Sequence, residues 1–184
     1  MSRRNTASSS TTATANTSRR RRDPQQTYVT FQLEREVYAL PITRVREIIG
    51  VCDCTPLPRM PAFVRGVINL RGRVLVVIDT RRRLAQSARA DDKRTCIIIV
   101  TTSDDDHADL MGLVVDRMSE VAHLPPECLE PADQHGTQTT NSCIQALAKC
   151  SDQLTIILSI DHLTHVRHAK HCAELQASEQ ASQP

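Results

Sequence analysis

From Thr27 to Thr164 the chain alternates short apolar runs with short polar breaks, and that rhythm predicts strands. Val29, Phe31 and Leu33 are separated by single polar residues, the pattern of a half-buried strand. Glu34-Arg35-Glu36 reads as a polar turn, and Val37-Tyr38-Ala39-Leu40 as the return. A helical turn is predicted near Pro41 to Arg44, after which Val45-Arg46-Glu47-Ile48-Ile49-Gly50 alternates again. Cys52 to Pro61 contains three prolines and is expected to be a loop, with a single turn over Pro61 to Val64.

Phe63-Val64-Arg65-Gly66-Val67-Ile68-Asn69-Leu70-Arg71-Gly72, running into Arg73 to Asp79, is the most informative segment. Val67 to Leu70 and Arg73 to Ile78 flank Arg71-Gly72, which predicts a hairpin whose tip displays an arginine. Gly72 takes positive φ there at little cost. Asp79 stands where a helix N-cap belongs, ahead of Thr80 to Leu84. Thr95 to Thr101 reads as a buried strand, Leu110 to Val115 and Glu120 to Leu124 as two more, and Leu154 to Leu158 as the last. Asp104-Asp105-Asp106 marks a turn, Pro125 to Asn141 a long polar loop, and Asp161 to Cys172 a short helix. Many short strands with few helical periods between them predict a barrel or sandwich and argue against a parallel α/β sheet.

Composition sharpens this picture. The chain has 184 residues, enough for one domain with tails. It holds two Tyr, two Phe and no Trp, so the core must be Val, Ile and Leu, which favours β structure. The same scarcity removes the stacking platforms of single-stranded nucleic-acid binders. Residues 1–22 carry six arginines and no acid, while the rest carries 17 basic and 21 acidic side chains. The first 26 residues, rich in Ser, Thr and Arg, are expected to be a disordered tail, as are 173–184, leaving 27–172 as the folded domain. Seven cysteines form no disulfide framework and fit reduced thiols in a cytosol. No apolar run approaches the roughly 20 residues of a transmembrane helix.

Candidate chemistry is sparse. Cys52-Asp53-Cys54 offers two thiols, but zinc needs two further convergent ligands. His162, His165, His168 and His171 recur every three residues, so adjacent pairs share a helix face and all four do not. There is no glycine-rich phosphate loop, no G-x-S-x-G, no H-E-x-x-H and no deaminase signature. The expectation is a chain with no catalytic site, no cofactor and no metal.

A family resemblance emerges from several strings in order. They are Phe31-Gln32-Leu33, Tyr38-Ala39-Leu40-Pro41-Ile42, Val45-Arg46-Glu47-Ile48, Thr55-Pro56-Leu57-Pro58, Pro61 through Gly72, and Asp79. With Gly112 to Asp116, Glu120-Val121 and Leu154 to Asp161, this pattern resembles the CheW family over about Thr27 to Thr164. The resemblance implies a mainly β fold: two small five-stranded SH3-like barrels packed across a shared apolar groove, with short helices and a C-terminal helix. It implies a non-enzymatic cytoplasmic adaptor that couples chemoreceptors to a CheA-type histidine kinase at membrane receptor arrays, with no membrane insertion and no nucleic acid.

Carried across residue by residue, the family's partner-facing positions fall on Ile42, Val45, Glu47, Gly66 and Arg71. Ile42 and Val45 are expected to supply apolar contact at the groove, and Glu47 a carboxylate on the polar side of its strand. Gly66 is expected to let a partner backbone approach, and Arg71 to present a donor fork. The chain departs from the family at Val76, Thr80, Leu84-Ala85 and Ser159, where Pro, Leu, Phe-Gly and a carboxylate are common. Thr80 and Leu84-Ala85 put partner choice in question more than fold. A paralogous adaptor of a pilus-motility or other receptor array is the alternative reading. A nucleic-acid-associated protein acting through the arginine tail, or a thiol enzyme, is more distant.

Overall fold

The apolar alternations fold into two sheets because each run has one face to bury and little helix-forming residue between runs. The computed structural model describes residues 23–87, 89–103, 109–132, 143–150 and 153–165. The arginine tail, the Asp104 to Asp106 turn, residues 133–141 of the long loop, the helix expected beyond His165 and the C-terminal tail lie outside the described residues.

The first sheet contains β3 (Val45–Gly50), β4 (Val64–Leu70), β5 (Arg73–Asp79), β6 (Cys96–Thr101) and β7 (Leu110–Val115), in the order β3-β6-β7-β5-β4. The second contains β1 (Thr27–Leu33), β2 (Glu36–Pro41), β8 (Arg117–His123), β9 (Leu129–Pro131), β10 (Ile144–Cys150) and β11 (Gln153–Leu158), ordered β8-β1-β2-β11-β10-β9. Two short helices, α1 (Thr80–Arg83) and α2 (Ile160–Thr164), follow β5 and β11. Ser159 caps α2 by accepting the His162 N–H, so it keeps the N-cap role that a family carboxylate would fill. Asp79 caps α1 through the Arg82 N–H in the same way.

The hairpin expected at Arg71-Gly72 is present. Leu70 pairs with Arg73, and the two residues between them have φ of 52° and 83°. These are the positive values of a two-residue type I′ turn, whose twist matches the flanking strands. The Asn69 side chain accepts the Gly72 N–H at 2.9 Å and holds the turn.

The first barrel closes through the segment after β3. Thr55 and Val67 exchange both backbone hydrogen bonds, each 2.9 Å, and so join the chain downstream of β3 to β4 at the opposite edge of the sheet. Gly66 makes this possible. Its φ is +144°, and a Cβ there would overlap the Thr55 carbonyl. The backbone that Gly66 was expected to admit from a partner is the chain's own.

Three apolar clusters follow from the two curled sheets. Ile68, Leu75, Val77, Ile97, Ile99 and Val114 fill the first barrel, and Tyr28, Ala39, Leu124, Ala148 and Ile157 the second. The largest cluster lies between them, where Phe31, Leu33, Tyr38 and Leu40 meet Val76, Ile78, Ile98, Val100, Met111 and Leu113. Strand β6 therefore has no polar face: Ile97 and Ile99 point into the barrel, Ile98 and Val100 into the shared core. That explains an unbroken apolar run in a sheet made mostly of antiparallel pairs. Of the few aromatics, Phe31 and Tyr38 stack in the shared core with centroids 5.9 Å apart.

Polar clamps hold the barrels together. Arg81, buried at the start of α1, pairs with Asp116 at the β7–β8 junction, and the other Asp116 oxygen accepts the Glu34 N–H at 2.7 Å. Arg83 donates to the carbonyls of His162 and Leu163 near the end of α2 and stacks over the Phe63 ring at 5.0 Å.

Two expectations are corrected. The second sheet has six strands, not five, because Leu129–Pro131 forms a short edge strand, preceded by a 3-10 turn over Pro126–Cys128. Both fall within the stretch expected to be loop. Strand β10 had no counterpart in the sequence reading: Ile-Gln-Ala-Leu-Ala-Lys-Cys is alanine-rich and weak in β preference, and its pairing to β9 and β11 sets its state.

Two predictions follow from these contacts. Gly66→Ala combines strain at positive φ with a backbone overlap at Thr55, and should cost about 2–4 kcal/mol, read as a lower urea midpoint. An unchanged midpoint would contradict the closure described. The second concerns Arg65, whose guanidinium is hydrogen-bonded to Asp91 and holds that carboxyl below the usual aspartate range. A depressed folded value makes this contribution present above the unfolded pKa, about 3.9, and lost as pH falls through the folded value. The gap in thermal midpoint between the parent chain and Arg65→Gln should therefore narrow progressively as pH falls below about 4. Parallel curves over that range would contradict it.

Candidate functional site

Barrel closure sets the turn of β4–β5 beside β3, and two of the expected partner-facing residues meet there. The Arg71 Nη2 donates to the Glu47 carboxylate at 2.9 Å. The two side chains differ in exposure, 78% for Arg71 and 29% for Glu47. Glu47 thus forms the anchored half of the pair, and most of the Arg71 fork faces solvent.

The placement of Glu47 differs from the expectation. Along β3 the half-buried positions are Val45, Glu47 and Ile49, while Arg46, Ile48 and Gly50 are exposed. The register of β3 on β6 shifts between Val45 and Glu47, and this bulge sits beside the charged residue. The carboxylate therefore lies on the more enclosed side of its strand, and Arg71 meets it there. The apolar residue that emerges is Ile48, 44% exposed.

Ile42 and Val45 precede Glu47 along the chain. Ile42 opens a 3-10 turn over Ile42–Arg44 and is half-buried. Val45, also half-buried, leans on the shared core. Arg44 fixes the turn, donating from Nε to the Thr101 carbonyl at 3.0 Å and from Nη2 to Asp161 at 2.8 Å. Gly66 is buried and belongs to the barrel closure, so it supports the display of Arg71 without itself facing outward.

Ile48 and Val74 are candidate contact residues that the sequence reading passed over. Val74 is 57% exposed. It shares its strand face with Val76 and Ile78 of the shared core and lies where that face runs out into solvent. The signal was concealed because Val74 sits in an all-apolar run whose parity is visible only once Val76 and Ile78 are known to face the second barrel. Ile48 pairs with Ile98, another shared-core residue, and is likewise the exposed continuation of a buried face.

The departures from the family also find their places. Thr80 is fully buried and Leu84 nearly so, the latter in the shared core. Neither side chain reaches the surface, so both departures bear on packing rather than directly on partner choice. Ala85 has φ of 59°, the left-handed conformation for which the family's glycine is suited. Val76 pairs with Met111 inside the sheet.

Cys52 is exposed, and the Cys54 Sγ lies 3.7 Å from the Cys52 carbonyl. Burial pushes the Cys54 thiol up, against the opposing effect of Arg65. Among the described residues no three His, Cys, Asp or Glu side chains converge on one point. His162 contacts the Ser159 hydroxyl at 2.8 Å, and His165 is exposed. Among the described residues no helix is long and apolar enough to cross a membrane.

Comparisons with known proteins agree with this architecture. The family model described as the CheW-like domain matches residues 27–168. A chemotaxis protein CheW from Klebsiella aerogenes is 30% identical over 138 residues, covering 75% of this chain and 81% of the relative. One from Treponema pallidum is 28% identical over 154 residues, covering 83% and 90%. The crystal structure of the scaffolding protein TtCheW from Thermoanaerobacter tengcongensis superposes with a TM-score of 0.68 at 32% identity, covering 77% of this chain and 94% of that one. Two curled sheets packed through one apolar core, with a closed first barrel and this span of matched sequence, place the chain in the CheW-like domain family.

Proposed function

We propose that this chain is a non-enzymatic signalling adaptor of chemotaxis that holds chemoreceptors and a CheA-type histidine kinase in a fixed geometry. It acts in the cytoplasm and gathers at receptor arrays. Family membership and the scaffolding and chemotaxis proteins it resembles support this reading. The observation that carries it is the arginine at the β4–β5 turn.

That arginine has no account in stability. Arg71 adopts positive φ, which costs a non-glycine residue of the order of 1–2 kcal/mol, and a type I′ turn prefers Asn or Gly. Its ion pair with Glu47 is largely solvent-exposed, and such pairs return about 0–1 kcal/mol. The two roughly cancel at best. A strained position held without stability benefit points to a role in recognition. Glu47 orients the fork through one bond and leaves the remaining N–H groups to a partner carboxylate or carbonyl. Ile48 and Val74, exposed where the shared-core face runs out into solvent, add apolar area for a partner to cover. Ile42 and Val45, both half-buried, are assigned apolar contact with a partner at the groove.

Arg71→Glu should weaken capture of a chemoreceptor cytoplasmic fragment or a kinase regulatory domain by about 30-fold or more, the loss of one hot-spot contact. Its thermal midpoint should fall by no more than about 2–4 °C. Equal capture by Arg71→Glu would overturn the assignment. The charge exchange Glu47→Arg with Arg71→Glu separates recognition from internal bracing. Capture stays weak if the partner reads the arginine, and its recovery would show that the pair acts only within the barrel.

A further inference from the structure

Partner capture through Arg71 makes no use of Cys52-Asp53-Cys54. The string follows β3 and leads directly to Thr55, whose backbone closes the first barrel on Val67. Both cysteines line one cavity of about 320 Å³, together with Val51, Asp53, Arg65 and Asp91. Residues 51–54 run without a turn or bend, and alternate residues of an extended chain share a side. The Cys54 thiol donates to the Cys52 carbonyl at 3.7 Å, so its sulfur is turned back toward Cys52. Cys52 is exposed and Cys54 half-buried, which leaves both open to a small solute from solvent. Asp91 fixes the Arg65 guanidinium at the same cavity through two hydrogen bonds.

We propose that Cys52 and Cys54 form a binding site for one soft monovalent cation, Cu(I), held between their two sulfurs. Zinc in a structural site takes four ligands in a tetrahedron. Among the described residues no third His, Cys, Asp or Glu joins this pair. Cu(I) has high affinity for thiolate sulfur and is satisfied by two thiolates in line with the ion. The sulfurs then stand apart on either side of the metal and need not close to the roughly 2.05 Å of a disulfide. On binding, each thiol releases one proton and each sulfur gives an electron pair to the ion, which stays monovalent. The bound site carries one net negative charge, and the Arg65 guanidinium beside it offsets that charge. The site also adjoins the barrel closure. A Cβ on Gly66 would lie 3.2 Å from the Cys54 Cβ, and Thr55 is the next residue in the chain. An ion joining Cys52 to Cys54 clamps the segment that enters the closure, and it stabilises the folded chain by binding it.

The test titrates the full, reduced chain anaerobically with Cu(I) in the presence of bicinchoninate as a competing chelator. The chain is expected to withdraw one ion per molecule from the chelator, with an affinity that rises as pH increases. The X-ray absorption spectrum should show two sulfur neighbours and no nitrogen, and the thermal midpoint should rise by several degrees. Cys52→Ser, a change at an exposed side chain, should weaken binding by at least about 100-fold while leaving the metal-free midpoint unchanged. Cys54→Ser should weaken it equally, whereas Cys128→Ser combined with Cys150→Ser should leave it intact. No withdrawal of copper, undiminished binding by Cys52→Ser, or a copper-bridged pair of chains overturns the proposal. Zn(II) binding as tightly to the same two cysteines overturns the choice of ion. None of these outcomes depends on Arg71, so they stand apart from the test of partner capture.

Discussion

Closure of the first barrel rests on the approach of the Thr55 backbone to β4, and that approach is possible because residue 66 lacks a Cβ. β3 and β4 lie at opposite edges of their sheet. Without the Thr55–Val67 bridge nothing in the strand pairing brings them together. With it, the turn that follows β4 reaches the carboxylate on β3, and Arg71 meets Glu47 across the seam. A geometric allowance at one buried position thus determines a surface feature several residues away. The closed barrel also gives β5, β6 and β7 an outer face of Val, Ile, Leu, Met and Cys96, which the second barrel covers except where Val74 runs out into solvent.

Two arginines show how the same chemistry serves different ends. Arg81 is buried and paired with Asp116, whose second oxygen holds the Glu34 amide. Removing one partner of such a pair strands a charge in the core, which costs of the order of 3–5 kcal/mol. Arg71 is exposed and its pair contributes little to stability. Selection for folding accounts for Arg81, with Asp116 and the β1–β2 turn as its partners. The proposed adaptor role assigns Arg71 to what it presents to another molecule.

Much of the fold was legible in the residues, for identifiable reasons. The Arg71-Gly72 turn, the Asp79 cap and the alternation in β1 and β3 are local signals, written within a few residues of where they act. Strand β10 was not legible, because an alanine-rich segment becomes a strand only through its neighbours β9 and β11. The depth of Glu47 depends on a bulge against β6, and the exposure of Val74 on which side the second barrel covers. Both are facts of packing that no single stretch of sequence carries. Gly66 was singled out correctly as a point of close approach, but the approaching chain is Thr55. The departures at Thr80 and Leu84 raised a question of partner choice in the sequence, and both side chains are buried.

The proposed role of this chain is to couple receptor state to kinase activity without chemistry of its own. The most direct measurement reconstitutes chemoreceptor-bearing membranes with a CheA-type kinase from the same cell and follows kinase autophosphorylation as receptor ligand is added. Phosphorylation is expected to respond to the ligand when the chain is present and to be insensitive to it when the chain is left out. A ligand response of the same size in both mixtures would contradict it.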